Sequence, residues 1–108
     1  MMENLFASTA SGSAHEIIAQ LIERPGARLE RIVSTGQATP LDAPYCQDHD
    51  EWVLLLQGAA GLWLDGIGER SMRPGDHLLI PAGCTHRVTW TAPGEATVWL
   101  AVHFARPG

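Results

Sequence analysis

Lysine is absent from the chain. That absence removes a Schiff-base amine, a pyridoxal phosphate attachment point and a phosphate-loop lysine at once. The seven basic residues are all arginines, spread along the sequence rather than gathered in a stripe, and they face 12 acids for a formal charge of -5. Such a balance gives no basic footprint for nucleic acid. Long apolar runs are missing too: a stretch such as Trp52 to Leu56 is far short of the ~20 residues of a membrane helix. Met1 to Ala10 is acidic rather than basic, without the apolar core or processing site of a secretory signal, so a cytoplasmic location is expected. Cysteine is scarce. Cys46 and Cys84 could form at most one bridge, and in a reducing compartment both are expected as free thiols. With 108 residues the chain has room for one domain, one core and one modest pocket.

What is present falls into two parts. Over Ala14 to Glu23, the residues Ile17, Ile18, Leu21 and Ile22 recur at helical spacing, which predicts a short amphipathic helix capped by Ser13 with Glu16 closing a capping box, and ended by Pro25 and Gly26. From Arg28 onward, short segments rich in Val, Leu, Trp and Thr are cut by Gly and Pro, an all-β rhythm. The reading places strands at Arg28 to Ser34, Asp50 to Gln57, Ala60 to Asp65, His77 to Ile80, Thr85 to Thr91 and Thr97 to Phe104. Asp65-Gly66, Pro74-Gly75, Pro81-Ala82-Gly83 and Pro93-Gly94 mark the reversals. The expected organisation is an N-terminal segment over 1–27 and a barrel domain over 28–106. Trp52 to Leu56 is apolar on both faces, so one face should line the interior and the other meet a second sheet or a second subunit; a homodimer is expected.

Two segments carry spacings that go beyond fold class. Glu51 is followed by six residues and Gly58; Gly75 is followed by five residues, Pro81, one residue, Gly83, two residues and His86. Together they resemble the paired motifs of the cupin superfamily, G-x5-H-x-H-x3,4-E-x6-G and G-x5-P-x-G-x2-H-x3-N, with Trp90 where the family often has Asn. The resemblance runs from about Arg28 to Phe104. It implies an all-β double-stranded β-helix, or jelly roll, whose two motif hairpins face each other across a small cavity, preceded here by the short N-terminal helix. The two histidine positions of the first motif fall on Tyr45 and Gln47, or with the longer spacing on Pro44 and Cys46, so the usual three-histidine set is not reproduced.

The residues themselves suggest a replacement set. Gln47, His49 and Glu51 share parity and would share one face of an extended strand, and His86 would complete a site for a divalent metal such as Zn, Fe, Mn or Ni. Tyr45, Trp90 and His103 are further pocket candidates. His15 and His77 read as surface residues, Cys84 as a small buried hydrophobe, Trp63 and Trp99 as core or pocket wall, and Arg87 as pointing out of the barrel. Two functions compete on this reading. In one, the metal sits in the barrel of an enzyme of dioxygenase, isomerase or lyase type acting on a small organic molecule. In the other, the barrel is a non-catalytic module that binds a small ligand without metal. A dimer with only a structural role is a third.

Overall fold

Gly and Pro cut the apolar runs after residue 27, so the chain forms short strands, most of them joined by short turns, with a longer connection over 35–50 between the second and third. The computed structural model describes residues 2–7, 9 and 15–106. It contains eight strands: β1 Ile17–Arg24, β2 Ala27–Ser34, β3 Glu51–Gln57, β4 Ala60–Leu64, β5 Gly68–Met72, β6 His77–Ile80, β7 His86–Thr91 and β8 Thr97–Phe104. They pair antiparallel in two sheets, a larger one in the order β1-β2-β8-β3-β6 and a smaller one in the order β5-β4-β7. This is the jelly-roll barrel expected from the sequence.

The N-terminal helix is not there. No helix occurs among the described residues, and the segment expected to form one is the edge strand β1, hairpinned onto β2. Ser13, its expected cap, lies outside the described residues, and the carboxylate of Glu16 accepts a hydrogen bond from Ser34 Oγ at 3.3 Å. The cause of the misreading is a β-bulge. Pairing steps from Gln20 opposite Glu30 directly to Ile22 opposite Leu29, so the extra residue, Leu21, breaks the two-residue alternation and leaves an apolar spacing that imitates a helical face. A second strand absent from the sequence reading, β5, is short, largely exposed and at the edge of the smaller sheet, where little apolar patterning is needed.

The core lies between the sheets. Val53, Leu55, Ile80, Trp99 and Ala101 from the larger sheet meet Ala60, Leu62, Leu64 and Met72 from the smaller one, each large side chain contributing roughly 1.5–3 kcal/mol by leaving water. Gly58, which ends the first motif, connects β3 to β4 at a φ of 88°. A side chain there would place its Cβ 2.8 Å from the Cα of Thr97. The motif glycine is thus required twice, by backbone sign and by the close passage of β8.

Candidate functional site

The barrel interior is apolar until the level of Glu51, the first residue of β3. Its register partners are Ile80 on one side and His103 on the other, and since alternate residues of β3 face inward with Val53 and Leu55, Glu51 must point inward as well. His103 follows Trp99 and Ala101 on the inner face of β8, and Arg28 and Glu30 come from β2, where Arg28 pairs with His103 and Glu30 with Ala101. From the smaller sheet, His86 opens β7 and forms an isolated bridge with Tyr45. These side chains gather at one end of a cavity of about 420 Å³, with walls of Ile32, Val53, Leu62, Ile80, Val88 and Trp99.

Glu51, His86 and His103 are each at most 7% exposed. Glu51 Oε1 lies 3.8 Å from His86 Nε2, and Glu51 Oε2 lies 3.9 Å from His103 Nε2. Burial, and then the charge of Glu30, push the Glu51 carboxyl up to about 7, against the pull of His49, Arg28 and a hydrogen bond from the Gln47 amide. The oxygen of that amide, Gln47 Oε1, is buried with no hydrogen-bond partner. Tyr45 stacks on His86 with ring centroids 5.6 Å apart. Burial, then Glu16 and Glu51, hold its phenol above the ordinary range, so it stays protonated.

The imidazole tautomers follow from their partners. His86 Nδ1 lies 3.0 Å from the carbonyl oxygen of Cys84; a carbonyl only accepts, so Nδ1 carries the hydrogen and Nε2 is the nitrogen turned to Glu51. His103 Nε2 donates to Glu30 Oε1 at 2.9 Å, leaving its Nδ1 to accept from His49 Nε2, also at 2.9 Å. Burial holds the His103 ring below its ordinary range, with the Glu30 bond working the other way, which keeps it neutral. Arg28 Nε stands 3.4 Å from Glu30 Oε2.

Of the four metal donors expected from the sequence, the structure gathers Gln47, Glu51 and His86 around the Glu51 carboxylate. His49 lies behind His103, in a separate surface depression with Asp48 and Arg106. Among the described residues, no group of three or more His, Cys, Asp or Glu side chains is placed to hold a metal ion. Tyr45 and His103 line the cavity; Trp90 does not, its indole covering Gly61. His15, read as a surface residue, lines the cavity mouth with Glu16, while His77 accepts from the Trp52 indole at 3.3 Å outside the barrel. Arg87 packs over Trp63, its guanidinium carbon 5.6 Å from the ring centroid. Both cysteines are free. Arg28 and Glu30 escaped sequence reasoning because they belong to no motif. Their signal was parity alone: Arg28, Glu30 and Ile32 alternate with Leu29, Arg31 and Val33 on a strand whose inner face is the cavity wall.

The cupin-domain family matches over residues 32–103. Among solved structures, the chain is 48% identical to a proposed mannose-6-phosphate isomerase from Ralstonia eutropha, covering 98% of this chain and 99% of that one with a TM-score of 0.93. A cupin superfamily protein from Desulfitobacterium hafniense is 18% identical, over 88% of this chain and 82% of that one, with a TM-score of 0.73. DMSP lyase from Ruegeria pomeroyi is 18% identical, over 83% of this chain and 47% of that one, with a TM-score of 0.70. At that identity the last two speak for the fold alone. No curated protein matches.

Proposed function

The chain belongs to the cupin-domain family, and on that footing we propose that its barrel binds a small polar organic molecule and moves a proton on it, as isomerases and lyases do. The observation that carries this reading is the Glu51 carboxyl, buried between the Nε2 atoms of His86 and His103 at 3.8 and 3.9 Å. A group titrating at about 7 can take a proton from carbon and return it to a neighbouring atom at neutral pH. His86, whose Nε2 faces the Glu51 carboxyl, is the second proton-transfer group, and the apolar walls keep water from the reacting atoms. The reaction type agrees with the isomerase activity proposed for the 48% identical relative. The phosphate of that relative's named substrate is not carried over, because this cavity offers Glu16, Glu30 and Glu51 against one arginine that already faces Glu30.

The test is solvent exchange. Wild-type protein is incubated in D2O with a panel of small α-hydroxy aldehydes and ketones, and loss of the α-proton signal is followed by NMR. Exchange that disappears in Glu51→Gln supports the reading; no exchange with any member of the panel, or exchange unchanged in the variant, overturns it.

A second reading is a divalent metal held by Gln47, Glu51 and His86, favoured by the buried and unpartnered Gln47 Oε1. These residues fit such an ion as a minimal set of two oxygens and one nitrogen. It would act as a Lewis acid on a bound carbonyl, and dioxygenase chemistry belongs to this reading alone. Elemental analysis of untagged protein beside His86→Ala decides it: near-stoichiometric Zn, Fe, Mn or Ni in the parent, lost in the variant.

We place the protein in the cytoplasm as a homodimer. The free cysteines suit a reducing compartment. No helix of the described residues is long and apolar enough to cross a membrane. For the dimer, the support is the register of the larger sheet. It aligns Ile22, Leu29, Val102, Trp52 and Leu79 in one row across all five strands on the side away from the core, with Ile22 and Leu79 about half exposed. An apolar band of that length asks for a partner sheet.

A further inference from the structure

A carboxylate that takes a proton from carbon leaves charge on the oxygen of the neighbouring carbonyl, and that oxygen needs a hydrogen-bond donor. The donors gathered at the Glu51 end of the cavity can be followed one by one. The Gln47 amide is given to Glu51 itself. The Nδ1 hydrogen of His86 goes to the Cys84 carbonyl, and the Nε2 hydrogen of His103 goes to Glu30. Arg28 Nε is buried without a hydrogen-bond partner, but it stands 3.4 Å from Glu30 Oε2, on the His103 side of Glu51.

Tyr45 is the donor on the other side. Its backbone is fixed to His86 in both directions, with N–H to oxygen distances of 2.8 and 2.9 Å, and its ring stacks on the His86 ring. The side chain lines the cavity and is 45% exposed, so its phenol hydrogen is within reach of an occupant. It lies against the histidine whose Nε2 faces Glu51 Oε1. The negative charges of Glu16 and Glu51 both act on the phenol and oppose its ionisation, which keeps it a donor.

We propose that Tyr45 is a catalytic residue whose phenol binds the carbonyl oxygen of the substrate while Glu51 works on the adjacent carbon. The inference rests on the proton-transfer reading above and assigns the group that stabilises the oxygen. In the step, the Glu51 carboxylate removes the hydrogen of the α-carbon as a proton. The C–H electron pair becomes the new carbon–carbon π bond, and the carbonyl π pair moves onto oxygen, where the Tyr45 hydrogen bond holds it. The phenol gives up no proton, and the reverse step returns one from Glu51 to carbon. Glu51 and His86 stay free of the ligand's polar group. The substrate is then an aldehyde or ketone with a hydrogen on the adjacent carbon, its oxygen toward Tyr45 and its apolar part against Ile32, Val53, Leu62 and Val88.

The test compares Tyr45→Phe with wild type, both dialysed against EDTA, in the D2O exchange of hydroxyacetone, glyceraldehyde and the rest of the panel above. Phenylalanine keeps the ring and removes the oxygen. The exchange rate at saturation should fall about a hundredfold, the usual loss for one oxyanion donor, while the half-saturating concentration changes by less than about threefold. The His86 ring should keep its Nδ1-H form in the variant's NMR spectrum. Tyr45 is the one tyrosine of the chain, so growth on 3-fluorotyrosine alters this phenol alone; the more acidic phenol is the stronger donor and should give exchange at least as fast as the parent. Exchange in Tyr45→Phe within about twofold of wild type, with Glu51→Gln inactive, would overturn the Tyr45 assignment and leave the Glu51 reading standing. Exchange that requires added zinc chloride and is equal in wild type and Tyr45→Phe would assign the carbonyl oxygen to a metal instead. No exchange by wild type, with or without zinc, would remove both.

Discussion

His86 Nδ1 is held 3.0 Å from the carbonyl oxygen of Cys84, two residues before it. The loop that carries the second motif therefore sets the chemical state of the ring and its direction together, because only the Nδ1-H tautomer can make that bond. His103 has the opposite state, with its Nε2 hydrogen given to Glu30. Nitrogen-detected NMR at a pH where both rings are neutral should show the two different tautomers. In Glu30→Gln, the His103 signals should change while those of His86 remain.

The second prediction concerns stability against pH. The Glu51 carboxyl is raised in the folded chain, from 4.5 to about 7, so its contribution is fully present below about 4.5 and is lost as pH rises through 7. Over that window the protein should lose about 3 kcal/mol of unfolding free energy from this group, the shift converted at 1.36 kcal/mol per unit. Glu51→Gln, which keeps the shape and removes the charge, should flatten this part of the profile and be the more stable form at pH 8. Urea unfolding at a series of pH values checks both statements; a wild-type profile that rises from pH 5 to 7.5, or a variant less stable than wild type at pH 8, would contradict them.

Glycine substitutions separate two demands that the motifs combine. Gly75 has a φ of 95° with nothing within 4 Å of a new Cβ, whereas Gly58 adds to its φ of 88° a backbone contact at 2.8 Å with Thr97. Gly75→Ala should cost about 1 kcal/mol, from backbone strain alone. Gly58→Ala should cost about 3 kcal/mol, since β8 has to shift as well. Equal losses in thermal unfolding would mean that the Gly58 contact relaxes freely.

On the reading of the outer sheet face as a dimer interface, the wild-type chain sediments as a dimer at micromolar concentration. Leu79→Lys, which places a charge at one end of the apolar row, on the edge strand β6, at a residue 52% exposed in the single chain, should sediment as a monomer with its fold intact. A monomeric wild type would remove the interface.

The sequence was most readable where strands are central or anchored by motifs. The expected and observed bounds agree for His77–Ile80 and Thr97–Phe104, and differ by a single residue at one end for β2, β3, β4 and β7. It was least readable at the sheet edges, β1 and β5, where one flank of the backbone is unpaired and the side chains are mostly exposed. There, burial imposes little pattern, and in β1 the bulge shifts the pattern that exists. The site divides the same way. Glu51 and His86 were found through motif spacing, and Gln47 through parity with Glu51. His49 shares that parity but lies in the loop before β3, where alternation does not fix direction. Glu30 acts by accepting a side-chain hydrogen bond from His103, 73 positions away in the chain, and no local pattern announces such a partner.

The position of β8 in the larger sheet has a consequence for how the chain comes to be folded at all. It lies between β2 and β3 and pairs along its length with both. During synthesis, therefore, β2 and β3 are made early and have no neighbour between them until residue 104 has emerged. A nascent chain at that stage holds two open sheet edges and an unfinished core, so folding should be late, all at once and slow, in keeping with the long sequence separations that it must close. Ribosome-bound intermediates ending before β8 should be protease-sensitive along their whole length.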